Sequence, residues 1–145
     1  MDIRKLASVG SLVLGVMLIL GGIGTWALVN STLSEQRITI PEGDDYMFSG
    51  REVRGPFTAY AQTQAIELHT MRITDGQTYA ELDREDPRRD TAMNSSFLQA
   101  SLFTSILAFG VSAMAFGMGV LFILIGLGIN DVNKRLAELS GAPSS

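Results

Sequence analysis

The side chains that could do chemistry in this sequence are one histidine and two groups of carboxylates. His69 is the only histidine and there is no cysteine, so a zinc site with its usual three protein ligands would need carboxylates almost throughout. Glu42, Asp44 and Asp45 offer the oxygen ligands that Ca²⁺ prefers, but their spacing does not match an EF-hand loop. We therefore interpret His69 as a solvated or interface histidine and the acidic run as a solvated turn.

The second group of carboxylates alternates with arginines between positions 81 and 90. A pair for acid–base catalysis needs two environments that separate the pKa values, and a cluster of mixed sign does not indicate this. Such clusters usually form surface ion pairs worth about 0–1 kcal/mol each, although complementary charge also sets the register of docking on a partner. The predicted partner-docking residues are Arg84, Arg88, Arg89, Phe97 and Phe103. We predict no catalytic, cofactor-binding or metal-binding residue, and we expect no enzyme activity.

Two apolar segments flank this charged middle. No charged residue occurs in the 24 positions from Leu6 to Val29 or in the 33 from Phe97 to Ile129. A helix needs about 20 apolar residues to cross about 30 Å of hydrocarbon, so both segments qualify. The sequence predicts a mainly α membrane protein, in which a hairpin of two transmembrane helices carries a small extracytoplasmic α(+β) domain. The predicted segments are a tail 1–5, a first span 6–29, the outer domain 30–96, a second span 97–129 and a tail 130–145.

The orientation follows from the basic residues at the first span. Arg4 and Lys5 directly precede it, and the first span usually dominates while long loops translocate largely regardless of charge. The first run is also longer than the roughly 7–15-residue apolar region of a signal peptide, so we interpret it as an uncleaved anchor. We therefore expect both termini in the cytoplasm, the middle domain outside, and Trp26 near the outer interface.

The middle domain is acidic and small. Twelve acidic residues against seven arginines and no lysine give it a net charge of −5, which argues against a nucleic-acid partner. A domain of this size without disulfides rarely has a core worth more than a few kcal/mol. We therefore expect it to rest on the membrane, on another copy or on a larger partner.

Three elements are predicted in this domain. The segment 36–40 alternates polar and apolar residues and predicts a short strand that ends at Pro41. A helix from about 56 to 72 is predicted, with an amphipathic stripe at helical spacing that only Gln64 interrupts. The stripe consists of Phe57, Tyr60, Ala61, Gln64, Ala65, Leu68 and Met71. Asp86 followed by Pro87 is typical of a helix start, so we expect a helical stalk from position 87 that continues into the second span.

Small residues recur at alternating steps of three and four in both spans. This is the 3.5-residue period of a left-handed helix pair, and small side chains let membrane helices approach closely. The predicted helix-packing residues are Ser8, Ser11, Gly15 and Gly22 in the first span, and Ser101, Ser105, Ala108, Ser112, Ala115, Gly119 and Gly126 in the second.

Four stretches, PFTAYAQ (56–62), DGQTYAELDREDP (75–87), MNSSFLQASLFTSILAFG (93–110) and GVLFILIG (119–126), resemble a family of small two-span membrane proteins of actinobacteria. The resemblance implies a bacterial cytoplasmic membrane. Some members of that family carry the label of aromatic-ring-opening dioxygenase. Such an enzyme needs iron ligands that one histidine without cysteine does not supply in a usual set, so the resemblance assigns no catalytic residue.

Two functions agree with these observations. The first is a non-catalytic accessory subunit of a larger membrane protein complex, for example a respiratory electron-transport complex, with the bilayer and larger membrane subunits as partners and no cofactor. The alternative is a self-associating homo-oligomer whose outer domain binds a ligand or a partner.

Overall fold

The computed structural model describes residues 3–139 and residue 141 of the chain. Three helices account for most of it: α1 is Ile3–Glu35, α2 is Pro56–Ile73 and α3 is Arg89–Leu139. The part of the chain that is described contains no regular strand, so the fold is mainly helical.

Both α1 and α3 are long and apolar enough to cross a membrane. At 1.5 Å per residue their 33 and 51 residues extend about 50 Å and about 76 Å, against about 30 Å of hydrocarbon. Only 17% of the most apolar stretch of each helix is buried within the chain. A core helix of a soluble protein would be mostly covered, so this exposed apolar surface fits contact with lipid.

The chain forms two compact units. One, the helix-pair unit, consists of α1 up to Trp26 and α3 from Val111 onward. The other, the three-helix unit, is Ala27–Gly110 and contains the end of α1, all of α2 and the beginning of α3. The three-helix unit is therefore wider than the middle domain predicted at 30–96, because it takes in the first part of the predicted second span.

The core of the three-helix unit joins all three of its helical segments. Leu33 of α1, Ala59 and Ala61 of α2, and Leu102 and Phe109 of α3 are buried together. Two residues of the connection between α1 and α2 complete this core, Ile40 and Val53, each 1% exposed. Apolar side chains of five chain segments thus cover one another in a unit of modest size.

The predicted strand at 36–40 forms only one isolated antiparallel bridge, between Thr39 and Glu52. Ile40 donates from its N–H to the Arg51 carbonyl at 3.0 Å, and Val53 donates to the Ile38 carbonyl at 2.8 Å. The pairing ends beyond Ile40 because the Arg51 N–H donates to the Phe48 carbonyl at 3.0 Å, and the Gly50 N–H takes its place at the Ile40 carbonyl at 3.1 Å. In the other direction the facing segment soon enters α2.

The start and end of α2 have local causes. Pro56 occupies the first helical position, where its missing N–H costs nothing. The Thr58 hydroxyl accepts a hydrogen bond from the Gly55 N–H at 3.1 Å. At the other end Asp75 adopts a left-handed φ of 52°, and the Gly76 N–H donates to the Met71 carbonyl at 2.8 Å, which closes the helix as in a Schellman motif.

The buried face of α2 agrees with the predicted stripe at Ala61 and Ala65 but not at its large apolar residues. Phe57, Tyr60 and Leu68, which the apolar stripe would bury, are 76%, 45% and 40% exposed. The buried side chains are small: Ala59, Ala61, Thr63, Ala65 and Thr70. Small side chains permit closer packing against α1 and α3, so the large apolar side chains of α2 face outward.

The helical start predicted at Asp86 and Pro87 is displaced by two residues, since α3 begins at Arg89. The Asp86 carboxylate accepts a hydrogen bond from the Arg88 N–H at 2.8 Å, and the Arg89 N–H donates to the Asp86 carbonyl at 3.0 Å. The first helical bond runs from the Ala92 N–H to the Arg88 carbonyl. Asp86 and Pro87 therefore form a turn that leads into α3.

Candidate helix-packing and docking surfaces

Two glycines meet at the centre of the helix-pair unit. A Cβ on Gly15 would lie 2.7 Å from the Gly119 carbonyl oxygen, and a Cβ on Gly119 would lie 2.7 Å from the Gly15 carbonyl oxygen. Each added carbon would also approach an isoleucine of the facing helix, Ile123 or Ile19, within 2.7 Å. The two backbones are thus in direct contact, and only glycine fits at either position.

The same contact repeats one heptad away on each side. A Cβ on Gly22 would lie 2.8 Å from the Ser112 carbonyl oxygen. In the other direction the Ser8 hydroxyl donates to the Gly126 carbonyl at 2.9 Å. The contacts advance by seven residues along α1 while they recede by seven along α3, so the helices are antiparallel with the period of a left-handed pair. Ser11 and Ala115 are half-buried.

Three predicted packing residues of α3 lie in the three-helix unit, where the buried side of the helix is different. Ser101 is exposed, and Ser105 and Ala108 are half-buried. Ser105 donates its hydroxyl to the carbonyl of Ser101 at 3.2 Å, within the same helix. Leu102 and Phe109 are buried instead, because α3 packs here against α2 and the end of α1.

Arg88 is engaged inside the chain. Its guanidinium forms ion pairs with Asp86 at 2.8 Å and Asp75 at 2.9 Å, and its side chain is 33% exposed. Hydrogen bonds from the Arg88 side chain, and then from its backbone N–H, lower the pKa of Asp86. The pKa of Arg88 is raised in turn, mainly by its hydrogen bond to Asp86. This predicted docking residue therefore ties the end of α2 to the start of α3.

Arg89 and Glu81 fix the same connection. Arg89 donates to the Leu82 carbonyl, and its guanidinium carbon lies 4.1 Å from the centroid of the Tyr79 ring, a cation–π contact. The Glu81 carboxylate accepts bonds from the N–H and the hydroxyl of Thr78, which lower its pKa in that order. Arg84, the third predicted docking arginine, is exposed, whereas Arg88 and Arg89 are half-buried.

The two predicted docking phenylalanines are exposed. Phe97 is 66% exposed and Phe103 is 49% exposed. Leu98 and Leu107 beside them are 55% and 68% exposed. The exposed apolar side of α3, which we define as Phe97, Phe103 and Leu107, belongs to the three-helix unit. Leu98 lies about 100° around the helix from Phe97.

Two polar contacts position α2, and the sequence patterns did not indicate either. The Asn30 side-chain amide donates to the Arg54 carbonyl, which holds the start of α2 beside α1. Near the other end of α2 the buried hydroxyls of Thr70 and Ser95 lie 2.7 Å apart. Helical spacing identifies the polar residues of each segment, but it does not identify partners 24 or 25 positions away.

The carboxylates and His69 do not assemble a metal site among the described residues, where no group of three His, Cys, Asp or Glu side chains is positioned to hold an ion. His69 is exposed on α2. Asp45 of the acidic turn forms an ion pair with Arg72 at 3.0 Å, and both side chains are largely exposed.

Comparison with models of protein families, with curated proteins and with solved structures finds no match for this chain. The resemblance to small actinobacterial two-span proteins accordingly stays a prediction from the sequence.

Proposed function

We propose that this chain is a non-catalytic accessory subunit of a larger membrane protein complex, of which a respiratory electron-transport complex is one example. In this proposal α1 and α3 cross the bacterial cytoplasmic membrane, and the three-helix unit lies outside and docks on a larger subunit. The observation that carries the proposal is the exposed apolar side of α3, which begins with Phe97 close to a group of charged residues.

The charged residues near the C-terminal end of α2 indicate that this end of the three-helix unit contacts water. Thr70 contacts Ser95, so the last turn of α2 lies beside the part of α3 that precedes the predicted second span 97–129. Arg72, two residues after Thr70, pairs with Asp45, and Arg88 at the start of α3 pairs with Asp75. Lone charges are costly in hydrocarbon, and a group of four on one end of a unit is typical of contact with water.

Phe97 and Leu98 follow Ser95 by two and three residues, so they lie at this same end of the unit. Single exposed apolar residues are ordinary on a protein surface. Here Phe97 and Leu98 are both more than half exposed, and Phe103 and Leu107 extend the side of Phe97 by about 9 and 15 Å along α3. Exposed apolar groups of this kind beside polar residues mark interaction surfaces. A larger subunit that also extends out of the bilayer would cover them.

The alternative is a homo-oligomer, and the glycines on the outer faces of the helix-pair unit favour it. A Cβ on Gly10, Gly24 or Gly117 would meet no other described part of the chain within 4 Å. These positions are therefore open to the close approach of a further helix, including one from a second copy. Lipid covers them if no copy binds.

A photo-crosslinking amino acid at Phe97 separates these functions in native membranes. We expect a covalent product with one larger membrane protein, and no such product from the same amino acid at Asp44, an exposed residue of the acidic turn. A product of twice the chain's mass would support the homo-oligomer instead. The absence of any product at Phe97 would contradict both functions.

A paired variant checks the surface independently. Phe97→Ser with Phe103→Ser removes two exposed rings, so the folded chain should persist while the larger protein no longer co-purifies in mild detergent. Leu121→Ser, on the exposed face of the helix-pair unit, is the matched control. Retention of the larger protein by the double variant would contradict docking through this side of α3.

A further inference from the structure

We infer that the first turn of α2 is a third membrane contact of this chain, with Phe57 placed in the boundary between the lipid headgroups and the acyl chains. The occupant of this surface is the lipid bilayer. The inference rests on the two membrane spans of the proposed function, but it requires neither a larger subunit nor a second copy.

The position of Phe57 relative to the membrane follows from the contact between α1 and the start of α2. Asn30 directly follows the predicted first span 6–29 and is the first of three consecutive polar residues, and its side-chain amide donates to the Arg54 carbonyl. Phe57 comes three residues after Arg54, in the first turn of α2. Because the apolar residues of the predicted span give way to polar residues at Asn30, this position marks the outer interface, and the Asn30 contact holds the start of α2 at that level.

The direction of α2 places its two ends in different surroundings. Its last turn lies beside Ser95 and near two ion pairs, whereas its first turn lies beside Asn30 and follows the exposed ion pair of Arg54 with Glu52. Charged and aromatic side chains are both accommodated at the headgroup level of a membrane, so this pair agrees with an interfacial position. Side chains of a helix lean toward the helix N-terminus. The Phe57 ring at the first turn therefore leans toward the bilayer.

The exposure of Phe57 fits this location. It is 76% exposed, the largest exposed fraction of any aromatic residue reported for the described chain. An aromatic ring in water exposes apolar surface, whereas aromatic rings are favoured at the membrane interface. Trp26, the other aromatic residue at this level of the sequence, lies four positions before Asn30 on α1 and is 40% exposed. Contact with lipid thus accounts for an aromatic side chain that the core of the unit does not use.

Fluorescence quenching in lipid vesicles tests the inference, because Trp26 is the only tryptophan of the chain. Three variants in a Trp26→Phe background each carry one tryptophan on the exposed face of α2: Phe57→Trp, Tyr60→Trp and Leu68→Trp. Phe57 and Leu68 are separated by 11 positions, about 16 Å along the helix axis. The purified chain is reconstituted into phosphatidylcholine and phosphatidylglycerol vesicles, with bromine on the acyl chain near its carbonyl end.

We expect the brominated lipid to quench Phe57→Trp strongly, Tyr60→Trp less and Leu68→Trp least. Since the reconstituted chain is alone with lipid, such a gradient cannot come from a larger subunit. Equal quenching of Phe57→Trp and Leu68→Trp, with the native Trp26 quenched in the unsubstituted chain, would overturn the inference and leave the spans intact. If Trp26 of the unsubstituted chain were not quenched either, both the interfacial position of Phe57 and the membrane spans of the proposed function would be overturned. All three substituted positions are at least 40% exposed, and circular dichroism checks that each variant keeps its helix content.

Discussion

At the scale of single residues, the closest constraint in this protein is the contact between Gly15 and Gly119. Membrane helices gain no hydrophobic free energy by associating, so they depend on close packing and weak polar contacts. The carbonyl of each glycine occupies the space where a Cβ of the other would lie. The absence of a side chain at these two positions is therefore what permits the pair to form.

Gly119→Ala should weaken this helix pair, because the added methyl would lie 2.7 Å from the Gly15 carbonyl oxygen and force the helices apart. Overpacking of this kind costs about 1–3 kcal/mol. Gly117→Ala is the matched control, two residues away on the same helix, where a Cβ meets nothing within 4 Å. Reversible unfolding in mixed detergent micelles should show a loss for Gly119→Ala only. Equal stability of the two variants would contradict the backbone contact.

Asp86 gives a pH-dependent prediction. Its folded-state pKa is lowered by the hydrogen bonds from Arg88, so its contribution to stability is present above the unfolded pKa and is lost as the pH falls through the folded pKa. Asp86→Asn cannot titrate and should lose less stability than the unsubstituted chain as the pH is lowered through the ordinary range of a carboxyl and below it. Thermal unfolding across that pH range measures the difference, with Asp44→Asn as an exposed control. Parallel pH profiles for the Asp86→Asn chain and the unsubstituted chain would contradict this role of Asp86.

At the scale of elements, α2 shows how a helix can be predicted while its buried face is predicted only in part, at Ala61 and Ala65. The sequence predicts a helix from about 56 to 72, and α2 runs Pro56–Ile73. The apolar stripe assumes that the largest apolar residues face the core, as they do when a helix packs on one side. Since α2 packs against both α1 and α3, small residues fill its contacts and Phe57, Tyr60 and Leu68 remain exposed.

Mutation can test the buried contact between the Thr70 hydroxyl of α2 and the Ser95 hydroxyl of α3. Thr70→Val keeps the shape of the side chain but leaves the Ser95 hydroxyl without its 2.7 Å partner on α2. An unsatisfied buried polar group costs about 1–3 kcal/mol, so the three-helix unit should unfold at a lower temperature. Thr32→Val is the control, because that exposed hydroxyl bonds only to the Leu28 carbonyl of its own helix. An equal effect of both variants would show that the contact between α2 and α3 adds nothing.

At the scale of the whole molecule, the chain combines two helices that could cross a membrane with a unit that is polar at one end. The absence of cysteine makes the proposed orientation easy to test. Asp44→Cys lies in the middle segment and Glu138→Cys lies near the end of α3, both at exposed positions. A membrane-impermeant thiol reagent should label Asp44→Cys in intact cells and Glu138→Cys only after permeabilisation. The reverse pattern would show that the middle segment is cytoplasmic and the termini are outside. Labelling of both cysteine variants in intact cells would contradict a two-span hairpin.

The sequence alone determined the two long apolar helices, because freedom from charge over 24 and 33 positions is a local property, and a run of this length is sufficient for a helix that could span a bilayer. The seven-residue recurrence of Gly15, Gly22, Ser112, Gly119 and Gly126 was equally visible, because helical periodicity depends only on positions within one segment.

The tertiary structure decided which of these residues meet. It paired Gly15 with Gly119, turned the small face of α2 inward, and engaged Arg88 and Arg89 inside the chain although their charges favoured docking. Each of these outcomes depends on partners that lie far apart in the sequence, such as Asn30 with Arg54 or Thr70 with Ser95. Local spacing determines which side of a helix a residue occupies, but the free energy of packing between segments selects which side is buried.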